Sequence, residues 1–458
     1  MAALMRPPTV SRFLRCCRGT RGFSLQPRRG IQFLNPLDPP EDLSANDSRE
    51  LFKSVEDVQK NGLEKREPSA YVPTIEIGKV TISKLLLRDA CTCPKCVDPS
   101  STQKNYQTTQ IPENIDVKSV SGTSEGKIQV TWDNDIAELG TDHVSEYPSR
   151  LFHQNTRILE DVCDPHKIIS NSEVAWNAKM MKDKLKFVDF DAYMTNDDSL
   201  YEVLEHLHLY GLVFLKNVPS SLKDAAVEDI ATRIGRIRDT FYGRTWDVRS
   251  VPDAKNVAYT SRYLGLHMDL LYMANPPGYQ FLHCMENTAQ GGASIFSDTK
   301  WAASHLKPAS RYLLHALQIP YEYRNNGEHY FHNHPVLYRK SSVKHVNYSP
   351  PFQAPFLLHP QYADEQWHQK IAALREFSAA VEDPENVVEY RLQEGECVIF
   401  NNRRVLHGRK EFDALGGKRH YKGTYIDTDV VSSRYRVLKQ LDEEKHPDRV
   451  ATQLKEMK

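Results

Sequence analysis

Two histidines and a carboxylate, His267 and Asp269 in His267-Met268-Asp269 and His407 in His407-Gly408-Arg409, are the residues of this 458-residue chain best equipped for chemistry. Gathered on one face of a metal they leave three positions open, the ligand set of non-haem Fe(II) oxygenases rather than of a closed structural zinc site. Asp269 stands two positions after His267, so in an extended segment both side chains leave the same face and can reach one ion. Such a pair alone equally well decorates the solvent face of a strand, and the downstream sequence decides between the two readings. The block from Glu394 to Arg409 reads as a turn, a buried strand and a histidine at a strand end. The next strand begins near Arg419, and its period of two puts Arg419 and Tyr425 on one face. A planar guanidinium there can grip the distal carboxylate of 2-oxoglutarate through two parallel hydrogen bonds.

The elements that must position these residues are legible around them. A helix over Ser199 to Tyr210, a strand over Leu212 to Asn217 and a helix over Leu222 to Ile234 lead into the segment that carries the ligands, and a helix over Ala363 to Val381 interrupts the later strands. Upstream, Thr74 to Leu87 and Lys127 to Trp132 have β-rich patterning. Gly291-Gly292 is a turn before a strand and not a phosphate loop, because no Lys-Ser/Thr follows. His206 and His208 belong to the first helix, and Glu328-His329-Tyr330-Phe331-His332-Asn333-His334 reads as a solvated or substrate-adjacent loop. With 40% apolar residues the chain can bury a sizeable core. Seven arginines and no acidic residue fall before Asp38, which leaves 52 basic against 60 acidic side chains beyond it and argues against nucleic acid as a partner. No run of about eighteen apolar residues occurs, so no membrane span is expected.

Several motifs, in order, resemble one known family. They are Leu87-Arg88-Asp89-Ala90-Cys91-Thr92-Cys93-Pro94-Lys95-Cys96, Thr240-Phe241-Tyr242-Gly243-Arg244-Thr245-Trp246, Asn256-Val257-Ala258-Tyr259-Thr260, Leu406-His407-Gly408-Arg409 and the run from Gly423 to Arg434. From about Leu85 to about Leu438 the chain is similar to the γ-butyrobetaine dioxygenase and trimethyllysine dioxygenase family of TauD-like, Fe(II)- and 2-oxoglutarate-dependent enzymes. The resemblance implies a mainly β protein with helices, in which a double-stranded β-helix (jelly-roll) catalytic domain over 185–440 follows a small β-rich zinc-binding domain over 74–165. It implies iron on His267, Asp269 and His407, 2-oxoglutarate on Arg419 with Ser294 nearby, O2 as oxidant, ascorbate as reductant and a homodimer. It also places Tyr242, Trp246, Tyr259 and Tyr425 around a quaternary ammonium, which has no N–H to donate and is held by π faces.

Because both enzymes of the family use such a cage, the other end of the substrate must decide. Asn256, three residues before Tyr259, is an amide donor suited to the carboxylate of γ-butyrobetaine, where trimethyllysine enzymes tend to carry an aspartate for the α-ammonium. Ser349 stands where the family places a second carboxylate-contacting asparagine. The expected activity is therefore C3 hydroxylation of γ-butyrobetaine to L-carnitine with release of succinate and CO2, with trimethyllysine or another quaternary-ammonium metabolite as the alternative. A different class, an inactive zinc-stabilised binding protein, would have lost a triad ligand or Arg419, and all are present.

Cys91, Cys93 and Cys96 within six residues, with His143, resemble the family's zinc-binding set; three thiolates and an imidazole make a closed tetrahedron with no open position. Cys163, Cys284 and Cys397 are isolated and read as small apolar residues. Residues 1–34 are Arg-rich, acid-free and hydroxyl-containing, as a mitochondrial transit peptide is, which points to the matrix. Residues 35–73 read as a linker and 441–458 as a charged tail.

Overall fold

In the computed structural model the described residues run from 74 to 446, apart from 78–79, 124–126, 141–142, 149–151, 153–172, 220–221, 223–224, 250–260, 339–344, 357–364 and 414. The expected transit peptide, the linker, Cys163, Asn256 and Tyr259 lie outside them. The chain divides into two compact units, Met1–Ile77 with Thr81–Glu146, and Gly78–Val80 with Tyr147–Lys458.

β1 (Thr74–Ile77) pairs with β2 (Val80–Ser83), and β3 (Asp116–Gly122), β4 (Lys127–Asp133) and β5 (Val144–Pro148) form a sheet with β4 central. Alternation along β4 sends Val130 and Trp132 into the interior, where the Trp132 indole N–H donates to Ser145 Oγ at 2.8 Å. The β-rich reading of Thr74 to Leu87 holds only as far as Ser83: Lys84–Asp89 is a helix. The reason is local, since β-branched Val80, Thr81 and Ile82 favour a strand, and Leu85-Leu86-Leu87 favours a helix. That helix buries Leu87 and Arg88 and leaves Leu86 exposed.

The second unit is built on two sheets. The larger has the order β6 (Phe187–Asp189), β7 (Leu212–Lys216), β17 (Cys397–Asn401), β10 (Tyr279–Asn287), β19 (Arg419–Ile426), β8 (Trp246–Arg249). The smaller has the order β16 (Val387–Tyr390), β11 (Ser294–Asp298), β18 (Val405–Arg409), β9 (Leu264–His267). From β8 to β11, and again from β16 to β19, consecutive strands alternate between the sheets, which is the winding of a double-stranded β-helix. Period-two alternation divides the large sheet into two apolar faces. Val213, Leu215, Phe281, Ile399 and Ile426 face outward and are covered by the helices Asp197–Tyr210, Ala226–Ile234 and Thr428–Lys445. Leu212, Phe214, Val398 and Phe400 face inward against Phe296 and Val405 of the small sheet.

Between β11 and β16 lies an insertion with the hairpin β12 (Gln318–Asn325) and β13 (Glu328–Pro335) and the helix Glu365–Glu382. Here the expected loop at Glu328 to His334 is instead strand β13. His334 is buried with its Nε2 3.0 Å from Met273 O, while His329 meets Glu322 across the hairpin at 2.8 Å. Mostly polar side chains, with the one large hydrophobe Phe331 on the exposed side, disguised the period of the strand. His206 and His208 lie on the helix Asp197–Tyr210 as expected, and burial pushes both imidazoles down to about 4. Cys284 and Cys397 are fully buried core residues. The last helix extends to Lys445, into the stretch read as the start of the tail.

Candidate active site

His267 ends β9 and His407 sits in the middle of β18, and the two are register partners, so the ladder itself sets their rings 4.2 Å apart. Gly408 permits this pairing: a Cβ there would stand 2.6 Å from Leu264 O of β9. Asp269 does not share the extended segment that the sequence suggested. Pairing stops at His267 and the chain turns, yet Asp269 Oδ1 lies 3.3 Å from His267 Nε2 and 3.9 Å from His407 Nε2.

The electrostatics suit a divalent cation. His267 Nδ1 lies 2.8 Å from Gly265 O, which fixes its proton there and turns the Nε2 lone pair toward Asp269. Burial and the neighbouring His267 push His407 down to about 3, so it is a neutral ligand at pH 7. Burial would raise the Asp269 carboxyl, but His267, His407 and the Tyr425 hydroxyl, which donates to Oδ2 at 2.6 Å, hold it far below the usual carboxylate range. Three ligand atoms within 4.8 Å of one another, two imidazole nitrogens and one carboxylate oxygen, fit Fe(II) with open positions.

The same cavity is lined at its other end by Ser294, Arg409, Arg419 and Tyr421. Arg419 and Tyr425 do share a face of β19, and Tyr421 stands between them. The Arg419 guanidinium lies 4.0 Å from the Tyr421 ring centroid and 5.5 Å from that of Phe412, and its Nε is buried without a hydrogen-bond partner. Among the described residues no carboxylate forms an ion pair with Arg419. A buried guanidinium with unused donors fits a ligand carboxylate. Ser294 begins β11 opposite Arg409, which brings it to this end.

Around the triad the walls are rings. Trp246 stacks on Tyr425 with centroids 4.1 Å apart, and Tyr242 lies 6.3 Å from Trp246. Gly423 makes room for the stack: a Cβ there would meet the Trp246 ring at 2.7 Å. Of the expected cage, Tyr242, Trp246 and Tyr425 are thus brought together. Ser349 is buried but does not line the cavity.

In the first unit, Sγ of Cys91, Cys93 and Cys96 lie 3.4, 3.3 and 3.3 Å from His143 Nε2. Asp135 Oδ2 binds His143 Nδ1 at 2.6 Å and Asp135 Oδ1 accepts from Arg88 Nε at 2.6 Å, while Arg88 Nη1 reaches Cys96 Sγ at 3.4 Å. Although burial opposes ionisation, the His143 hydrogen bond draws Cys91 down to about 6, and burial with the charge of Cys91 drives Cys96 up to about 12. Three thiolates cannot coexist there without a cation, and a Cys3His tetrahedron with a carboxylate behind the imidazole fits zinc.

Residues 179–425 match the family described as taurine catabolism dioxygenase TauD, TfdA family, and residues 76–145 match gamma-butyrobetaine hydroxylase-like, N-terminal. Among curated relatives, a protein named dioxygenase str8 from Strobilurus tenacellus is 38% identical, covering 77% of this chain and 84% of its own length. A gamma-butyrobetaine dioxygenase from Pseudomonas sp. (strain AK-1) is 33% identical, covering 79% and 91%. A mitochondrial trimethyllysine dioxygenase from Rattus norvegicus is 29% identical, covering 77% and 81%. The chain belongs to the TauD/TfdA dioxygenase family. It is an Fe(II)- and 2-oxoglutarate-dependent dioxygenase.

Sequence reasoning missed several residues that line the dioxygenase's cavity. Tyr421 was legible in principle, since it lies halfway between Arg419 and Tyr425 at period two. Gln280 interrupts the apolar run Tyr279 to Leu282; it is buried, its Oε1 has no partner, and it is in register with Tyr425. Tyr272, whose hydroxyl lies 3.4 Å from that of Tyr242, sits in a turn and carries no periodic signal.

Proposed function

We propose that this dioxygenase hydroxylates γ-butyrobetaine at C3 to give L-carnitine, with release of succinate and CO2. The observation that carries the reading is the set of rings Tyr242, Trp246, Tyr272 and Tyr425 lining one cavity with the His267-Asp269-His407 triad. A trimethylammonium is attracted to π faces over distances of up to about 6 Å and finds no competing hydrogen-bond donor requirement there. Relatives named gamma-butyrobetaine dioxygenase support this choice.

An unactivated C–H bond yields to no side-chain acid or base, and iron with 2-oxoglutarate and O2 supplies that oxidising power when bound. The chain's own residues supply position. His267, Asp269 and His407 hold the metal and keep one face open. Arg419 fixes the distal carboxylate of 2-oxoglutarate. The rings seat the charged end of the substrate so that a single carbon faces the metal, and Asn256 takes its carboxylate. Tyr425 contributes twice, as a wall of the cage and as the donor that holds Asp269 Oδ2.

In the same reading, Cys91, Cys93, Cys96 and His143 bind structural zinc, and residues 1–34 direct the chain to the mitochondrial matrix. A reporter fused to residues 1–40 that stays cytosolic would refute the second of these. For the activity, the protein is incubated with Fe(II), ascorbate, O2 and 2-oxoglutarate, with γ-butyrobetaine and trimethyllysine offered separately. Oxygen gain on γ-butyrobetaine together with succinate is the expected result. Gain on trimethyllysine alone overturns the substrate, and succinate without either product points to another cage ligand.

A further inference from the structure

The two histidines of the triad are placed by strand pairing, but Asp269 lies just beyond the end of β9 and has no ladder to hold it. Immediately after it, Leu270 adopts φ 61°, a left-handed conformation that is unfavourable for a residue with a branched side chain and persists only where its surroundings enforce it.

We propose that Asn402 is the positioning residue that enforces it, a carboxamide clamp that fixes the carboxylate ligand of the metal. Asn402 is fully buried in the turn between β17 and β18. Its Oδ1 accepts from Asp269 N–H at 2.8 Å, and its Nδ2 donates to Asp269 O at 3.1 Å and to Pro277 O at 3.1 Å. Only this orientation of the amide satisfies all three groups, because the peptide N–H must donate and the carbonyls must accept. Its own N–H donates to Gly278 O at 2.9 Å. The Asp269–Gly278 excursion is thereby tied at both ends to one turn, and that turn runs directly into β18, which carries His407. One amide therefore couples the position of the carboxylate ligand to that of the distal imidazole, in the way that hydrogen bonds behind a ligand set its aim. Asn402 is not among the residues that line the cavity, so it acts on the site through Asp269.

The test separates aiming from bulk stability. Co(II), titrated into the full-length protein with its Cys3His site already loaded with zinc and followed by its visible absorption, reports affinity at the triad without turnover. Asn402→Ala is expected to weaken Co(II) binding by ~10–100-fold, the range seen for partners behind metal ligands. Leu204→Ala, in the helical cluster outside the large sheet, supplies a control with a comparable fall in Tm and unchanged Co(II) affinity. Adding Leu270→Gly to Asn402→Ala should recover part of the lost affinity, because glycine holds the left-handed turn without enforcement. The double variant also covers the case in which Asn402→Ala alone fails to fold. Wild-type affinity in Asn402→Ala, a loss matched by Leu204→Ala, or a double variant no tighter than Asn402→Ala would each overturn the proposal.

Discussion

The Cys3His cluster and the His-Asp-His triad differ in how the chain arrives at each. Three of the four thiolate-site ligands lie within six residues, and the fourth is held from behind by Asp135 and Arg88. The ligand set is complete, so the site can stabilise but has no place for a substrate. The triad takes its ligands from β9, the turn after it and β18, and its Asp269 carboxylate is still 17% exposed to the cavity. A site made for stability is local and closed, whereas one made for chemistry is assembled from distant strands around an opening. The two sites should accordingly fail in different ways.

The largest effect is expected at the triad. Asp269→Ala should abolish succinate formation and leave zinc content, measured by elemental analysis, unchanged; retained turnover would break the contrast and the iron assignment with it. Cys96→Ser should do the reverse in kind. Structural zinc contributes ~10–16 kcal/mol of binding free energy that doubles as folding free energy. The variant should therefore lose zinc and hydrogen-exchange protection in 84–146.

Arg419→Lys sharpens the picture within the cavity. Replacing a bidentate fork by a point charge removes one charge-assisted hydrogen bond, about 1.5–3 kcal/mol, which should raise the KM for 2-oxoglutarate by roughly 10–150-fold. At the cage, Gly423→Ala should displace the Trp246 ring and raise the KM for the proposed substrate, γ-butyrobetaine, by about 2–30-fold, in line with a cation–π loss of ~0.5–2 kcal/mol.

The smallest effect concerns pH. His206 and His208 titrate near 4 in the folded unit against about 6.5 in an unfolded chain, so between those values the unfolded state binds more protons and stability falls with acidification. Tm should be flat from pH 8 to 7 and decline below about 6.5. His208→Phe, which keeps the stack on Tyr435, should reduce that slope.

Much of this was legible in the residues. The ligand types and Arg419 came from chemistry and spacing, and the strands and helices around them from periodicity. The strand at Glu328–Pro335 and the helix at Lys84–Asp89 were misread for one reason: a local pattern is outvoted by what packs against it, or by a propensity on the scale of a few residues.

By itself, the sequence determined which side chains could bind metals and which could meet a carboxylate or a cation, because those capacities belong to the functional groups. Only the tertiary structure decided that His267 and His407 are register partners, that Gly423 admits Trp246 to the stack with Tyr425, and that Asn402 reaches back 133 residues to hold Asp269. Such relations depend on strand register and on close approach between segments far apart in the chain, which no local pattern encodes.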